Sequence, residues 1–319
     1  MDNLTHTLTG LMLSRAGLNR LHPRASLILM IAANIPDCDL ITVIGGAASY
    51  FQFHRGISHA LIALPVMAIL PPLIARVFTR KQPFPWLSAW LISLVGVASH
   101  SLLDYTNAYG IRLWLPFNDA WPMLSINNIM DVWIWTILIV ATLAPMLGSL
   151  VGSEIGEKRN RFPGRTWAIL ALSLIVLYNT GRWFAHQEAI RVQSARIYNG
   201  ESPRRVFAYP DKMNPLVWQG IVETGGTYAS HTVDLRRSFE PESRVVYKPD
   251  VTPAIEAAAK LPEFRTLTGF AKTILWRSTP APGSPEGSTR VTATDLYFGF
   301  TAEAVVDRNL QVLESRFHF

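Results

Sequence analysis

The sequence predicts an α-helical membrane domain of about five to six helices over residues 1–186, followed by a soluble α+β domain over 187–319. Three observations carry this reading. The chain is 49% hydrophobic and 16% charged, against about 25% charged in soluble domains. The charge is unevenly divided: residues 1–186 hold 13 Lys/Arg and 8 Asp/Glu, residues 187–319 hold 16 and 15. Long apolar runs fill the first part, whereas short β-branched and aromatic runs bounded by Gly and Pro fill the second.

Residues 3–20 read as a first helix, interrupted by His6 and Arg15. Residues 25–35 form a second apolar helix, ended by Pro36, which disfavours helix in the residue before it. Asp37-Cys38-Asp39 follows as an extended segment. Residues 59–78 are a third helix kinked at Pro65, Pro71 and Pro72. Residues 86–105, 131–151 and 166–185 complete the set. A crossing needs about 20 mainly apolar residues; segments three to six meet that, while one and two are shorter.

From 187 on, residues 206–209, 216–223, 227–235, 245–247, 291–300 and 312–319 read as strands. Residues 253–260 read as a short helix continued around 263–275, and 280–287 as a loop. The single cysteine, Cys38, excludes an internal disulfide and a thiolate zinc cluster. No cleavable signal peptide is expected, because polar Asp2 and His6 open the chain.

The net charge of +6 falls mostly in short loops of the first part. That pattern implies membrane topology and no nucleic-acid partner. Arg15, Arg20 and Arg24 lie between helices one and two. Arg76, Arg80 and Lys81 follow helix three, and Lys158, Arg159, Arg161 and Arg165 follow helix five. Basic loops favour the cytoplasm. The N-terminus, residues 46–58 and 106–130, and the C-terminal domain are then expected on the periplasmic side of a multi-pass protein.

Ionisable groups inside a membrane are costly and mark function by default. His6, Asp37, Asp39, His54, His59, His100 and Asp104 all fall on the outer side by this topology. His100 and Asp104, four apart, share a helix face. Asp37 and Asp39 point the same way in an extended segment. Ser58 is expected to cap a helix whose first turn holds His59, with His54 in the preceding loop. His and Asp without thiolate suit Zn, with Mn or Fe as alternatives, and seven candidates leave room for one or two ions or for outer-shell partners. Taken singly, each has a bland reading: a packed histidine, turn aspartates, a local hydrogen bond. Their placement on one side favours a shared metal site. Arg55 sits between two candidate ligands, where it either grips an anion or pairs with Asp37, Asp39 or Asp104. Asp131 could cap helix five. His22, His186, His231 and His318 read as structural.

The motifs Asp2-Asn3-Leu4-Thr5-His6-Thr7, Asn34-Ile35-Pro36-Asp37-Cys38-Asp39, His54-Arg55-Gly56-Ile57-Ser58-His59 and His100-Ser101-Leu102-Leu103-Asp104-Tyr105-Thr106-Asn107 occur in order. With Tyr109 to Phe117 and Asp131-Val132-Trp133, they resemble the bacterial membrane-bound metal-dependent hydrolases of the YdjM type. The resemblance covers residues 1–135 and departs at Val132, where a Pro is expected. It implies an inner-membrane hydrolase with His6, Asp37, Asp39, His54, His59, His100 and Asp104 as metal residues.

The expected chemistry is hydrolysis by a metal-bound hydroxide, with Asp37, Asp39 or Asp104 as base and Arg55 steadying the anionic oxygen. The expected partners are membrane lipid and a small-molecule or lipid substrate, such as a lipid-linked phosphoester. The alternative is a non-enzymatic membrane protein with a structural metal clip or an ion path.

Overall fold

The structure, a computed structural model, describes residues 1–78, 83–154, 164–242 and 244–318. Helices dominate up to Ser194, and two antiparallel four-stranded sheets with short helices follow. The chain forms two compact units. The first comprises Met1–Asp39, Arg55–Phe184 and Lys212–Pro215; the second comprises Leu40–His54, Ala185–Asp211 and Leu216–Phe319. The division at residue 186 in the sequence is one of composition, whereas these units are defined by contact.

In the first unit, α1 (Asn3–Ala16) starts at Asp2, whose side chain accepts from the Leu4 and Thr5 amides, both at 3.0 Å. This satisfies two of the amide donors that a helix start leaves without partners. α2 (Ala25–Ala32) packs closely on α1: a Cβ on Gly10 would come 2.6 Å from the Leu29 carbonyl oxygen. α6 (Trp86–Thr106) approaches α2 at Gly96, where a Cβ would meet the Ala32 Cβ at 2.6 Å. Small residues at such contacts let helices approach in a membrane, where dispersion rather than water exclusion drives packing.

Between α2 and α6 the chain is irregular. A 3-10 run spans Ile35–Gly45, then α3 (Ala47–Phe53), two single 3-10 turns at Ile57–His59 and Leu61–Ala63, α4 (Leu64–Met67) and α5 (Leu70–Val77). α7 (Val132–Glu154) is capped by Asp131, whose Oδ1 accepts from the Trp133 and Ile134 amides at 3.0 and 3.2 Å. α8 runs Arg165–Ser194. Among the described residues, four stretches are long and apolar enough to cross a membrane: Ala25–Gly45, Trp86–Thr106, Val132–Leu150 and Arg165–Ser194. A fifth arises if Ser49–His59 and Leu61–Val77 count as one bent span. Leu87, Leu147, Val176 and Leu177 are exposed, as suits side chains that face hydrocarbon.

Several local expectations are corrected. Asp37 and Asp39 lie in a 3-10 run, not an extended segment. A proline is tolerated where a helical turn begins, because its missing N–H is one that would lack a partner there. That run also brings the second segment to span length. The third helix is broken rather than kinked, since Pro65, Pro71 and Pro72 each sit at the start of a short new helix. Ser58 does not cap a helix: the turn at Ile57–His59 starts at Gly56 without a side-chain cap. The basic-loop residues Arg80, Lys81, Lys158, Arg159 and Arg161 lie outside the described residues.

In the second unit, β1 (Arg205–Pro210), β2 (Val217–Glu223), β3 (Tyr228–Asp234) and β4 (Val245–Tyr247) form one meander. α9 (Pro253–Ala258) and α10 (Pro262–Phe270) lead to β5 (Ile274–Pro280), β6 (Thr289–Asp295), β7 (Thr301–Val306) and β8 (Val312–His318), a second meander. The helix expected over 263–275 therefore stops at Phe270, and the strand expected over 291–300 ends at Asp295. Residues 40–54 belong to this unit through Phe51, which is buried against Phe270, Phe300 and Phe317 at ring separations of 5.2, 4.8 and 4.7 Å.

Asp295 closes β6 by accepting from the Phe298 and Tyr297 amides at 2.7 and 3.3 Å. Burial nevertheless pushes its carboxyl up to about 6. The native state therefore holds this proton more tightly than the unfolded chain, so stability is full below about pH 4 and falls as pH rises through 6, by about 2 to 3 kcal/mol. Asp295→Asn keeps an acceptor and loses the charge. Thermal unfolding of the β domain, followed by circular dichroism in the full chain, should become flat over this window and gain stability at pH 7.

Candidate metal centre

Five ionisable side chains meet in the buried interior of the first unit: His6 from α1, Asp37 from the 3-10 run, His59, and His100 and Asp104 from α6. His59 Nε2 and His100 Nε2 are 3.0 Å apart. Each of them lies 3.5 Å from Asp37 Oδ1 and 3.5 Å from Asp104 Oδ2. The i, i+4 spacing of His100 and Asp104 puts both on one face of α6.

The hydrogen bonds behind these atoms fix the tautomers. His100 Nδ1 lies 2.7 Å from the Ala33 carbonyl oxygen, which can only accept, so Nδ1 carries the proton. That carbonyl is available because α2 stops at Ala32 and Pro36 turns the chain into a tighter helix, where the Asp37 amide bonds back to Asn34 instead. Ser58 Oγ donates to Asp39 Oδ2 at 2.5 Å. It must then accept from His59 Nδ1, 2.9 Å away. With both protons on Nδ1, the two Nε2 atoms present lone pairs to each other and to two carboxylate oxygens. The two Asp104 oxygens and Asp37 Oδ1 make no hydrogen bond among the described residues.

With both rings neutral, the two Nε2 atoms and the two carboxylate oxygens repel one another, which a cation among them would relieve. Ligands about 2.0–2.1 Å from a tetrahedral ion are themselves about 3.3–3.4 Å apart, close to the separations of 3.0 and 3.5 Å found here. The buried His/Asp cluster could hold a metal ion, and its N and O donors fit a divalent ion of borderline hardness.

The remaining residues have distinct places. The His6 ring stacks on His100 at 3.9 Å, with Nε2 3.3 Å from Asp104 Oδ1, and neither ring nitrogen makes a hydrogen bond among the described residues. The Met1 α-amino nitrogen also contacts Asp104 Oδ1. Asp39 Oδ2 accepts from the Arg55 amide at 3.0 Å and from Ser58, and lies 3.4 Å from His59 Nδ1. It lies on the Nδ1 side of His59, the place where a carboxylate stands behind a metal-bound imidazole. His54 ends α3 in the second unit, where its ring stacks on Tyr50 at 4.6 Å. Asp131 is committed to capping α7 and accepts from the Tyr178 hydroxyl at 3.1 Å.

Arg55 is buried, its Nε 3.2 Å from Asp104 Oδ2 and its guanidinium over the Tyr109 ring at 4.8 Å. Its Nη1 donates to Asn107 Oδ1 at 3.1 Å. Asn107 is a site residue that the sequence reading did not single out. Its Oδ1 also accepts from the Tyr109 and Gly110 amides, and its position just past α6 was the available signal. The Ala33 carbonyl left no signal in residue type.

Residues 1–189 match the family model described as YdjM inner membrane protein. The chain belongs to that family. YdjM proteins are the membrane-bound metal-dependent hydrolase family, and the matched region contains the whole cluster. A curated Bacillus subtilis (strain 168) protein, "Uncharacterized protein YfhP", is 30% identical over 145 residues, covering 42% of this chain and 43% of that protein. The match thus spans less than half of that relative's length. No solved structure matches the chain.

Removing the carboxylate behind a metal-bound imidazole weakens metal binding by about 10- to 100-fold. Asp39→Ala should therefore lower affinity within that range in a competitive chelator titration, while His59→Ala and Asp37→Ala abolish stoichiometric binding. Equal losses for Asp39→Ala and Asp37→Ala would show that Asp39 is itself a ligand.

Proposed function

We propose that this YdjM family member is a metal-dependent hydrolase acting on a lipid or lipid-linked phosphoester at the inner membrane. The observation that carries the reading is the buried set of four converging acceptors with a guanidinium beside it. Asp37, His59, His100 and Asp104 would hold the ion, zinc being the best match to the donor set, with Mn or Fe as alternatives. Such an ion supplies a water of lowered pKa and polarises a phosphoryl oxygen.

The protein's own groups supply the rest. Arg55 binds an anionic oxygen of the substrate, and Asn107 and the Tyr109 ring hold its guanidinium in place. His6 Nε2, with Asp104 Oδ1 beside it, accepts a proton and returns it to the leaving group. The apolar, exposed helix faces support a substrate that arrives through the lipid. The C-terminal unit belongs on the periplasmic side by the charge of the connecting loops. In support, residues 46–54, part of the stretch read as outer, are part of that unit.

One observation favours a structural clip instead: four protein ligands close a tetrahedron, as in structural zinc sites, whereas catalytic zinc usually has three. Against this, Arg55 Nε competes for Asp104 Oδ2 at 3.2 Å, which loosens the fourth ligand. The two readings separate on turnover. Purified metal-loaded protein should hydrolyse a member of a panel containing diacylglycerol phosphate and a polyprenyl diphosphate. His6→Ala should lower kcat by about 100-fold or more, and Arg55→Met should raise KM, both with metal content unchanged. Stoichiometric metal with no turnover on any member would establish the clip.

A further inference from the structure

The second unit contains a cavity of its own, with a volume of about 600 Å³. Its walls come from β1 and β3 of the first sheet, the segment leading into α9, the end of α10, and β5 of the second sheet. That volume lies within the range of small-molecule sites, which are mostly apolar with a few placed polar groups. Pro249, Val251, Ile255, Ala271 and Ile274 make the apolar wall, and Tyr228 and Trp276 add aromatic rings. Trp276 is held by stacking on Phe264 at 5.5 Å.

The charges on the wall are unequally satisfied. Arg205 donates to Glu223 at 2.5 Å. Asp250 accepts from the Ser278 amide at 2.8 Å and pairs with Arg277 at 3.6 Å. Glu256 is exposed at the start of α9. Lys272 differs from these: it is half-buried and makes no ion pair or hydrogen bond among the described residues. Burial and the neighbouring Arg205 guanidinium lower its ammonium below the ordinary lysine range. A half-buried cation without a counter-charge, facing an apolar and aromatic cavity, carries a desolvation cost that a bound anion would offset.

We propose that this cavity binds a small organic anion, with a phosphate, phosphonate or carboxylate head on Lys272 and a ring or apolar body against Tyr228 and Trp276. The site is separate from the metal centre and does not rest on hydrolase activity. The anion could be free or the head group of a lipid, since both present the same chemistry.

Phenylphosphonate is a suitable probe, because it has the anion and the ring and cannot be hydrolysed as an ester. Binding to the full-length protein in detergent is measured by isothermal titration. The wild type should bind it saturably, and benzyl alcohol, which lacks the anion, at least tenfold more weakly. Lys272→Met should weaken phenylphosphonate at least tenfold, Lys272→Arg should retain it, and Arg55→Met should leave this binding in place. The thermal transition of the β domain, unchanged in Lys272→Met, shows that the variant is folded. Addition of vesicles of an anionic phospholipid distinguishes the sources: competition indicates a head group, and its absence a free anion. The proposal is overturned if phenylphosphonate does not bind, if Lys272→Met binds it as the wild type does, or if benzyl alcohol binds equally well. Binding that is lost in Arg55→Met but kept in Lys272→Met would likewise overturn it, by assigning the anion to the metal centre.

Discussion

Two imidazole lone pairs held 3.0 Å apart inside a membrane protein are the constraint on which the first unit depends. While both rings are neutral, no hydrogen bond between them relieves this, because each spends its proton on the far side. A cation between them, a metal ion or an added proton, would meet the cost. The protein therefore has to bring His59, His100, Asp37 and Asp104 from three separate stretches to within one ion's reach. Close helix approach at Gly10 and Gly96 is part of that requirement. A side chain at either place would push α1 or α6 off α2, and with it the ligand-bearing turn after Pro36.

Charge balance points the same way. Asp37, Asp39 and Asp104 bring three negative charges into a region where ionised groups are expensive. Arg55 offsets one of them. The Met1 α-amino group, where protonated, offsets part of the rest through its contact with Asp104 Oδ1, and a divalent ion among neutral histidines would compensate the remaining negative charge. Without the ion, part of the carboxylate charge would be left uncompensated, which is far more destabilising than a paired charge. Arg55 thus has a structural share in the site whatever substrate it meets, and the salt-bridge and anion-binding readings of this residue are not exclusive.

Much of this was legible in the sequence, because intramembrane polar residues are few and each stands out. The apolar runs and the i, i+4 pair His100–Asp104 translate directly into structure. What was not legible depends on contacts distant in sequence. Asp39 and Asp37 look equivalent, yet only Asp39 accepts from Ser58, nineteen residues on. Phe51 looked like part of a membrane loop, but its partners Phe270, Phe300 and Phe317 come from the far end of the chain. β5 was hidden because Phe270 to Leu275 continues the apolar spacing of α10. The Asx turn at Asp295 ends β6 five residues early, since Tyr297 and Phe298 look like strand residues and serve as turn residues.

The membership of residues 40–54 in the second unit explains the backbone of Arg55. The chain leaves the first unit after Asp39 and re-enters at Arg55. There the Arg55 amide bonds to Asp39 Oδ2 at 3.0 Å, and the Arg55 carbonyl accepts from the Arg112 amide at 3.1 Å. Meeting both partners requires a left-handed conformation, φ +55°, which costs a non-glycine residue roughly 1 kcal/mol or more. A glycine would remove that strain but also the guanidinium. The strain is kept where the chain needs a sharp re-entry and the site needs a cation, and Gly56 follows to let the backbone turn on toward Ser58 and His59. The closed Asp39–Arg55 link ties off the excursion at its base, so the ligand-bearing segments on either side of it are held together by the first unit's own hydrogen bonds.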